Sequence, residues 1–208
     1  MSDIPPELAA LSARTLDDYN TRAREFWEGT RDHDVQQNIE ALLVRIEGLP
    51  PFTILDFGCG PGRDLRALTA LGHAAIGLDG AASFVAMARE YSGCEVLQQD
   101  FLALDLPFGR FDGIFANATL QHVPTAVLPR VLRQLRDSLK PRGVLFASNP
   151  RGRGEEGWHR GRYGAYHDEA SWSRYVGDAG FLLLDQYYRP AGRPREQQPW
   201  LATVWRKA

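Results

Sequence analysis

The chain has 208 residues, 44% of them hydrophobic, with 24 lysines and arginines against 26 aspartates and glutamates and a formal charge of −2. That is the profile of a globular protein with one core: no apolar run approaches the roughly 18 residues of a membrane span, and the N-terminus lacks the basic-then-apolar pattern of a secretory signal. Cys59 and Cys94 supply neither a disulfide framework nor a four-ligand zinc site, and the balanced charge disfavours a general nucleic-acid partner, so the expectation is a single cytoplasmic domain over residues 1–208 with no membrane partner and no bound metal.

Residues 1–50 read as helical. Asp17 or Asp18 is placed to cap a helix through about Trp27, with Tyr19, Ala23 and Phe26 on one face. A second helix is expected from about Asp34 to Glu47, ended by Gly48 and by Pro50-Pro51. Residues 52–149 then alternate strand and helix patterns. Strands are expected at Phe52–Phe57, Ala74–Leu78, Glu95–Gln98, Phe111–Ala116 and Val144–Ser148, with helices over Gly62–Leu71, Ala81–Tyr91 and about Thr125–Leu139. Short apolar strands alternating with helices indicate a mainly parallel sheet covered on both faces. From Asn149 to about His167 the chain is rich in arginine, glycine and aromatics. A helix at about Glu169–Asp178 follows, then strands at Phe181–Tyr188 and Trp200–Arg206 joined by a proline-rich loop, which suits an antiparallel hairpin.

The sharpest local pattern is Asp56-Phe57-Gly58-Cys59-Gly60-Pro61-Gly62-Arg63-Asp64, a buried strand entering a glycine-rich turn and then a helix. Glycines there allow a tight turn and a close backbone approach to a ligand. A dinucleotide fingerprint would need its third glycine where Arg63 stands, and no nucleoside-triphosphate loop is present. Asp56, two residues before Gly58, would repel a pyrophosphate but suits a cationic amino group. Asp79, ending the second strand, can accept two ribose hydroxyls. Asp100, after the third strand, can accept from an adenine amino group, with Phe101 or Leu102 against the ring. Three successive strand ends thus each present a carboxylate to one crevice.

This succession resembles the class I S-adenosylmethionine-dependent methyltransferases of the UbiE-like, type 11 or type 25 kind, over about residues 50–207. Asp56–Gly62 is similar to the family's first motif, Asp79 to its ribose-binding acid and Asp100 to its adenine-contacting acid. Asn117-Ala118-Thr119-Leu120-Gln121-His122-Val123 resembles the segment after strand four, and Lys140-Pro141-Arg142-Gly143-Val144-Leu145 the turn into strand five. The resemblance implies an α/β, Rossmann-like fold: a seven-stranded, mostly parallel sheet with an antiparallel last strand and helices on both faces. It implies S-adenosyl-L-methionine as cofactor, held by Tyr19, Asp56, Phe57, Gly58, Cys59, Gly60, Asp64, Asp79, Gly80, Asp100, Phe101 and Asn117, and in-line methyl transfer to a small-molecule acceptor. It divides the domain into an N-terminal helical lid (1–50), a cofactor-binding half (51–150), a substrate-side insertion (151–170) and a C-terminal helix and hairpin (171–208).

Other readings stay open at this point. His122 could orient an acceptor or accept a proton, or simply bond a backbone carbonyl. Tyr19, Ala23 and Phe26 fit ordinary packing as well as a lid, and Arg22 or Arg24 could meet the cofactor carboxylate. The segment after Asn149 carries four arginines, Arg151, Arg153, Arg160 and Arg162, and could grip an anionic or carboxylate-bearing acceptor, with Arg151 and Arg153 as the named candidates, Trp158 and Tyr163 beside them and Tyr166 and His167 as further catalytic candidates; a solvated loop is the plainer alternative. An RNA or protein methyltransferase is a rival activity, for which Arg151–Arg162 and Arg189–Arg195 could make a local basic rim, although Asn117-Ala118-Thr119-Leu120 stands where base-modifying enzymes carry [DN]-P-P-[YFW]. A non-catalytic cofactor-binding regulator is a second.

Overall fold

A computed structural model describes residues 4–208. The elements are α1 (Pro6–Thr21), α2 (Ala23–Thr30), α3 (Gln36–Leu43), β1 (Thr53–Phe57), α4 (Arg63–Ala70), β2 (Ala74–Asp79), α5 (Ala82–Ser92), β3 (Val96–Gln98), β4 (Phe111–Asn117), α6 (Leu128–Ser138), β5 (Leu139–Pro150), β6 (Glu155–His159), β7 (Arg162–Tyr166), α7 (Glu169–Asp178), β8 (Phe181–Arg189) and β9 (Trp200–Lys207). Seven strands form one sheet in the order β3-β2-β1-β4-β5-β9-β8. β1 to β5 run parallel, and β9 alone runs antiparallel, between β5 and β8.

Strand alternation builds two core layers. Leu55, Ile114, Leu145 and Trp205 face α6 and α7, while Ile54, Phe115, Phe146 and Val204 face α3, α4 and α5. On α6, Leu128, Val131, Leu132 and Leu135 recur every three or four residues, so one stripe is buried. The strand order reverses between β1 and β4, and ligands of open α/β sheets bind at the carboxyl ends of strands at such a point.

The N-terminal helices differ from the expectation. The first begins at Pro6, where a proline at the start of a helix costs no hydrogen bond. Instead of continuing to Trp27 it breaks at Arg22, whose φ of −107° and ψ of 20° divide α1 from α2. The helix expected to Glu47 ends at Leu43. Residues 155–166, without assigned structure in the sequence reading, form the separate hairpin β6–β7. His159 pairs with Arg162, so Arg160 and Gly161 make a two-residue turn, both at positive φ (51° and 89°). This is the turn geometry that matches strand twist, reached here with Arg-Gly rather than the usual Asn-Gly.

Gly62 begins α4 at φ 94°, and a Cβ there would stand 2.9 Å from the Cα of Ala88 in α5. We expect Gly62→Ala to destabilise the fold by about 1–3 kcal/mol through backbone strain, measured by urea unfolding.

Candidate active site

The carboxyl ends of β1, β2 and β4 open into a cavity of about 980 Å³, roofed by α1 and α2 and by the β6–β7 hairpin. Its floor is the glycine turn after β1. The amides of Gly58 and Cys59 donate to Leu78 O at 2.8 and 3.1 Å, which binds the turn to β2. Gly58 has φ 78°, and a Cβ would lie 2.3 Å from Thr119 Cγ2, so no other residue fits.

Asp79 closes the β2 end. Its Oδ2 accepts from Gly60 N at 3.0 Å and its Oδ1 from Ala81 N at 2.9 Å. Burial pushes its carboxyl up to about 6, with those backbone amides pulling the other way. Asp100 Oδ2 accepts from Ser12 Oγ at 2.8 Å and its Oδ1 from Leu102 N at 2.8 Å, so α1 meets the β3 end directly. Leu16 of α1 packs on Gly80, where a Cβ would clash at 2.7 Å.

A buried polar chain crosses the β4 end. Tyr187 Oη donates to Asn38 Oδ1 at 2.9 Å, Asn38 Nδ2 to Asn117 Oδ1 at 3.0 Å, and Asn117 Nδ2 to Asp64 Oδ2 at 3.3 Å. Arg63 grips Asp64 bidentately at 2.6 and 3.0 Å and donates to Thr30 O, the last residue of α2, at 2.8 Å.

The roof is tied down at several points. Tyr19 Oη lies 2.8 Å from His122 Nε2, and His122 Nδ1 lies 2.7 Å from Tyr163 O. A carbonyl can only accept, so Nδ1 carries the proton, Nε2 is an acceptor, and Tyr19 donates to it. Burial first, then the Arg162 charge, lowers His122 to about 4, so it is neutral at pH 7. Tyr163 N donates to Thr15 Oγ1 at 3.1 Å, Arg162 Nε lies 3.4 Å from Asp18 Oδ2, and the Arg14 guanidinium stacks 4.0 Å from the Trp158 ring centre.

Of the residues singled out by sequence, Tyr19, Gly58, Cys59, Gly60, Asp64, Asp79, Gly80, Asp100, Phe101, Asn117, His122, Trp158 and Tyr166 line this one cavity. Six others stand elsewhere. Asp56 lies behind the turn, and burial first and then the Asp64 charge raise its carboxyl well above the ordinary range. Phe57 packs on Phe101, ring centres 4.4 Å apart. Tyr163 is buried, with Trp158 against its ring edge. His167 lies against Trp172 and Tyr175, near α7. Arg151 stacks on Tyr188, and Arg153 is exposed in the turn before β6. For Tyr163 the reason is register. Arg162 and Tyr166 of β7 point to the cavity, and the intervening odd face points away. Sequence reading missed Ser12, Thr15, Arg63 and Trp200 as wall or roof residues, and reached Arg160, Arg162 and Arg189 only as members of arginine-rich segments. The Arg-Gly turn was a usable signal for Arg160; nothing local marks the others.

The donor set fits an aminoacyl nucleoside. The glycine cradle, where a Cβ at Gly58 would clash, admits a ligand close to the backbone, and Asp79 and Asp100 line the cavity with acceptor oxygens. A family profile described as "Methyltransferase domain" matches residues 54–143. A trans-aconitate 2-methyltransferase of Variovorax paradoxus is 31% identical over 181 residues, covering 82% of this chain and 66% of that protein. The chain belongs to the class I S-adenosylmethionine-dependent methyltransferases. An 18S rRNA (guanine-N(7))-methyltransferase of Arabidopsis thaliana is 35% identical over 123 residues, 56% of this chain and 42% of that protein. The fold is similar to that of a Burkholderia thailandensis 1,6-didemethyltoxoflavin-N1-methyltransferase solved with S-adenosylhomocysteine (TM-score 0.76, 22% identity, 100% of this chain and 92% of that one). The chain spans between 42% and 66% of the length of the curated relatives it matches. No described helix is long and apolar enough to cross a membrane.

His122 carries a pH-dependent part of stability. Its folded pKa lies below the unfolded value, so the contribution is full above about 6.5 and is lost as pH falls toward 4. The stability difference between the protein and His122→Gln should therefore shrink by roughly 2–3 kcal/mol across that window, followed by urea unfolding at each pH. Ring-nitrogen NMR should show the Nδ1–H tautomer down to about pH 5.

Proposed function

We propose that the protein transfers the methyl group of S-adenosylmethionine to a small, carboxylate-bearing acceptor. The observation that carries this reading is one cavity lined both by acids at strand ends and by arginines without an ion-paired carboxylate. Asp79 and Asp100 line it at and just beyond the ends of β2 and β3, and Arg160 and Arg189 line it from the hairpin turn and the end of β8. A volume of about 980 Å³ is at the top of the roughly 300–1,000 Å³ range of small-molecule sites, which suits a cofactor and a modest acceptor together. The similarity to a trans-aconitate methyltransferase agrees with an acidic acceptor.

In this reading Asp79 and Asp100 accept from the ribose and adenine of the cofactor, with Phe101 against the base and the Gly58–Gly60 turn beneath it. When bound, the cofactor supplies an electrophilic methyl group on a sulfonium. The chain's own work is to orient the acceptor and exclude water, which can supply roughly 7–11 kcal/mol of a barrier. Arg162 stacks 4.8 Å over the Tyr19 ring, and Tyr19 gives its only proton to neutral His122. The hydroxyl that closes the roof therefore offers lone pairs to the cavity. An ionised carboxylate acceptor needs no general base, so a histidine held near 4 is no handicap.

Calorimetric titration should give saturable S-adenosylmethionine binding, weakened at least ten-fold by Asp79→Asn; no binding by the native protein ends this reading. Labelled methyl groups offered with acids, amines, thiols and total RNA should enter the acids. Label confined to RNA would transfer the assignment to the rRNA-modifying relatives, and binding without any transfer would make the protein a sensor. With a responding acid, His122→Ala and Tyr166→Phe should lower turnover more than cofactor affinity.

A further inference from the structure

We propose that Arg160 and Arg189 form a two-point clamp that selects an acceptor carrying at least two carboxylate groups. This deepens the methyl-transfer reading and rests on it. Four arginines line the cavity. Two are already neutralised: Arg63 by Asp64 at 2.6 Å, and Arg162 by Asp18 at 3.4 Å. The other two have no carboxylate within ion-pair distance among the described residues.

Arg160 stands at the tip of the β6–β7 turn, where its positive φ of 51° is held by the two-residue loop. Arg189 ends β8 and pairs in register with Trp200, the first residue of β9, which also lines the cavity. One Arg189 nitrogen donates to the main-chain oxygen of Asp34 at 3.0 Å, which anchors the guanidinium without neutralising it. Asp34 itself lines the cavity, but its Oδ1 is taken by Gln36 N at 2.9 Å. A guanidinium has five N–H donors in a planar fork matched to a carboxylate. Arg160 is exposed and Arg189 half-buried; two such forks on separate elements of one cavity, with no ion-paired carboxylate, match a ligand that brings two anionic groups. Trp158, Tyr166 and Trp200 provide apolar wall for the carbon skeleton between them. A monocarboxylate leaves one arginine uncompensated, and charge-assisted pairs are the strong ones.

The test is calorimetry on the whole protein, with and without saturating S-adenosylhomocysteine. The probes are tricarballylate (three carboxylates), glutarate (two), butyrate (one) and inorganic phosphate. Tricarballylate and glutarate should bind at least ten-fold tighter than butyrate and tighter than phosphate. Arg160→Ala and Arg189→Ala should each remove that preference, and the lysine variants should restore part of it. Arg151→Ala and Arg153→Ala, outside the cavity, should keep it. Equal binding of glutarate and butyrate, a preference for phosphate, or a preference that survives both alanine variants overturns the clamp. The S-adenosylhomocysteine titration reads separately. Its failure sinks the methyl-transfer reading, while the carboxylate arm without it still decides whether the arginines select diacids.

Discussion

The site depends on a carboxylate buried where it is expensive to keep one. Asp79 is 7% exposed, and its cost is offset by two backbone amides, one from the glycine turn and one from the start of α5. The Gly60 bond fastens the turn after β1 to the end of β2. The turn can come that close only because Gly58 and Gly62 lack side chains where Thr119 and Ala88 already stand. The cradle, the α4–α5 packing and the acid at the strand end are therefore one mutually dependent unit. Removing any part leaves either a clash or a buried charge without its donors.

A second unit is built on top of the first by residues far apart in sequence. α1 reaches Asp100 through Ser12, the hairpin through Thr15 and Asp18, and His122 through Tyr19. Because Tyr163 supplies a carbonyl to His122 and an amide to Thr15, the hairpin sets the histidine tautomer and anchors the lid helix at one residue. The roof and the acceptor wall are thus mechanically joined. A neutral imidazole suits this role, since a second positive charge beside Arg162 would oppose the clasp.

Much of the architecture was readable from the chain. The strands, their parallel order and the antiparallel pair at the C-terminus follow from apolar periodicity and from Gly and Pro punctuation. So do Asp79, Asp100 and the glycine turn, whose spacing is local. The roof helices were readable only as a face with Tyr19 on it, because the break at Arg22 falls at neither a glycine nor a proline. The insertion was read as an arginine-rich loop, and the arginines closest to β5 attracted the role. In the structure Arg151 stacks on Tyr188, and the turn and strand pairing deliver Arg160 and Arg162 instead.

The sequence by itself therefore determined the sheet, the cradle and the acids at the strand ends, since each depends on residues within a few positions of one another. Only the tertiary structure decided which distant side chains line one cavity together. Tyr19 and His122 are 103 residues apart, and Asn38 and Tyr187 are 149 apart. In a strand a shift of one residue turns a side chain from the cavity to the core, which is why Arg162 and Tyr166 face the ligand space while Tyr163 supports it from behind.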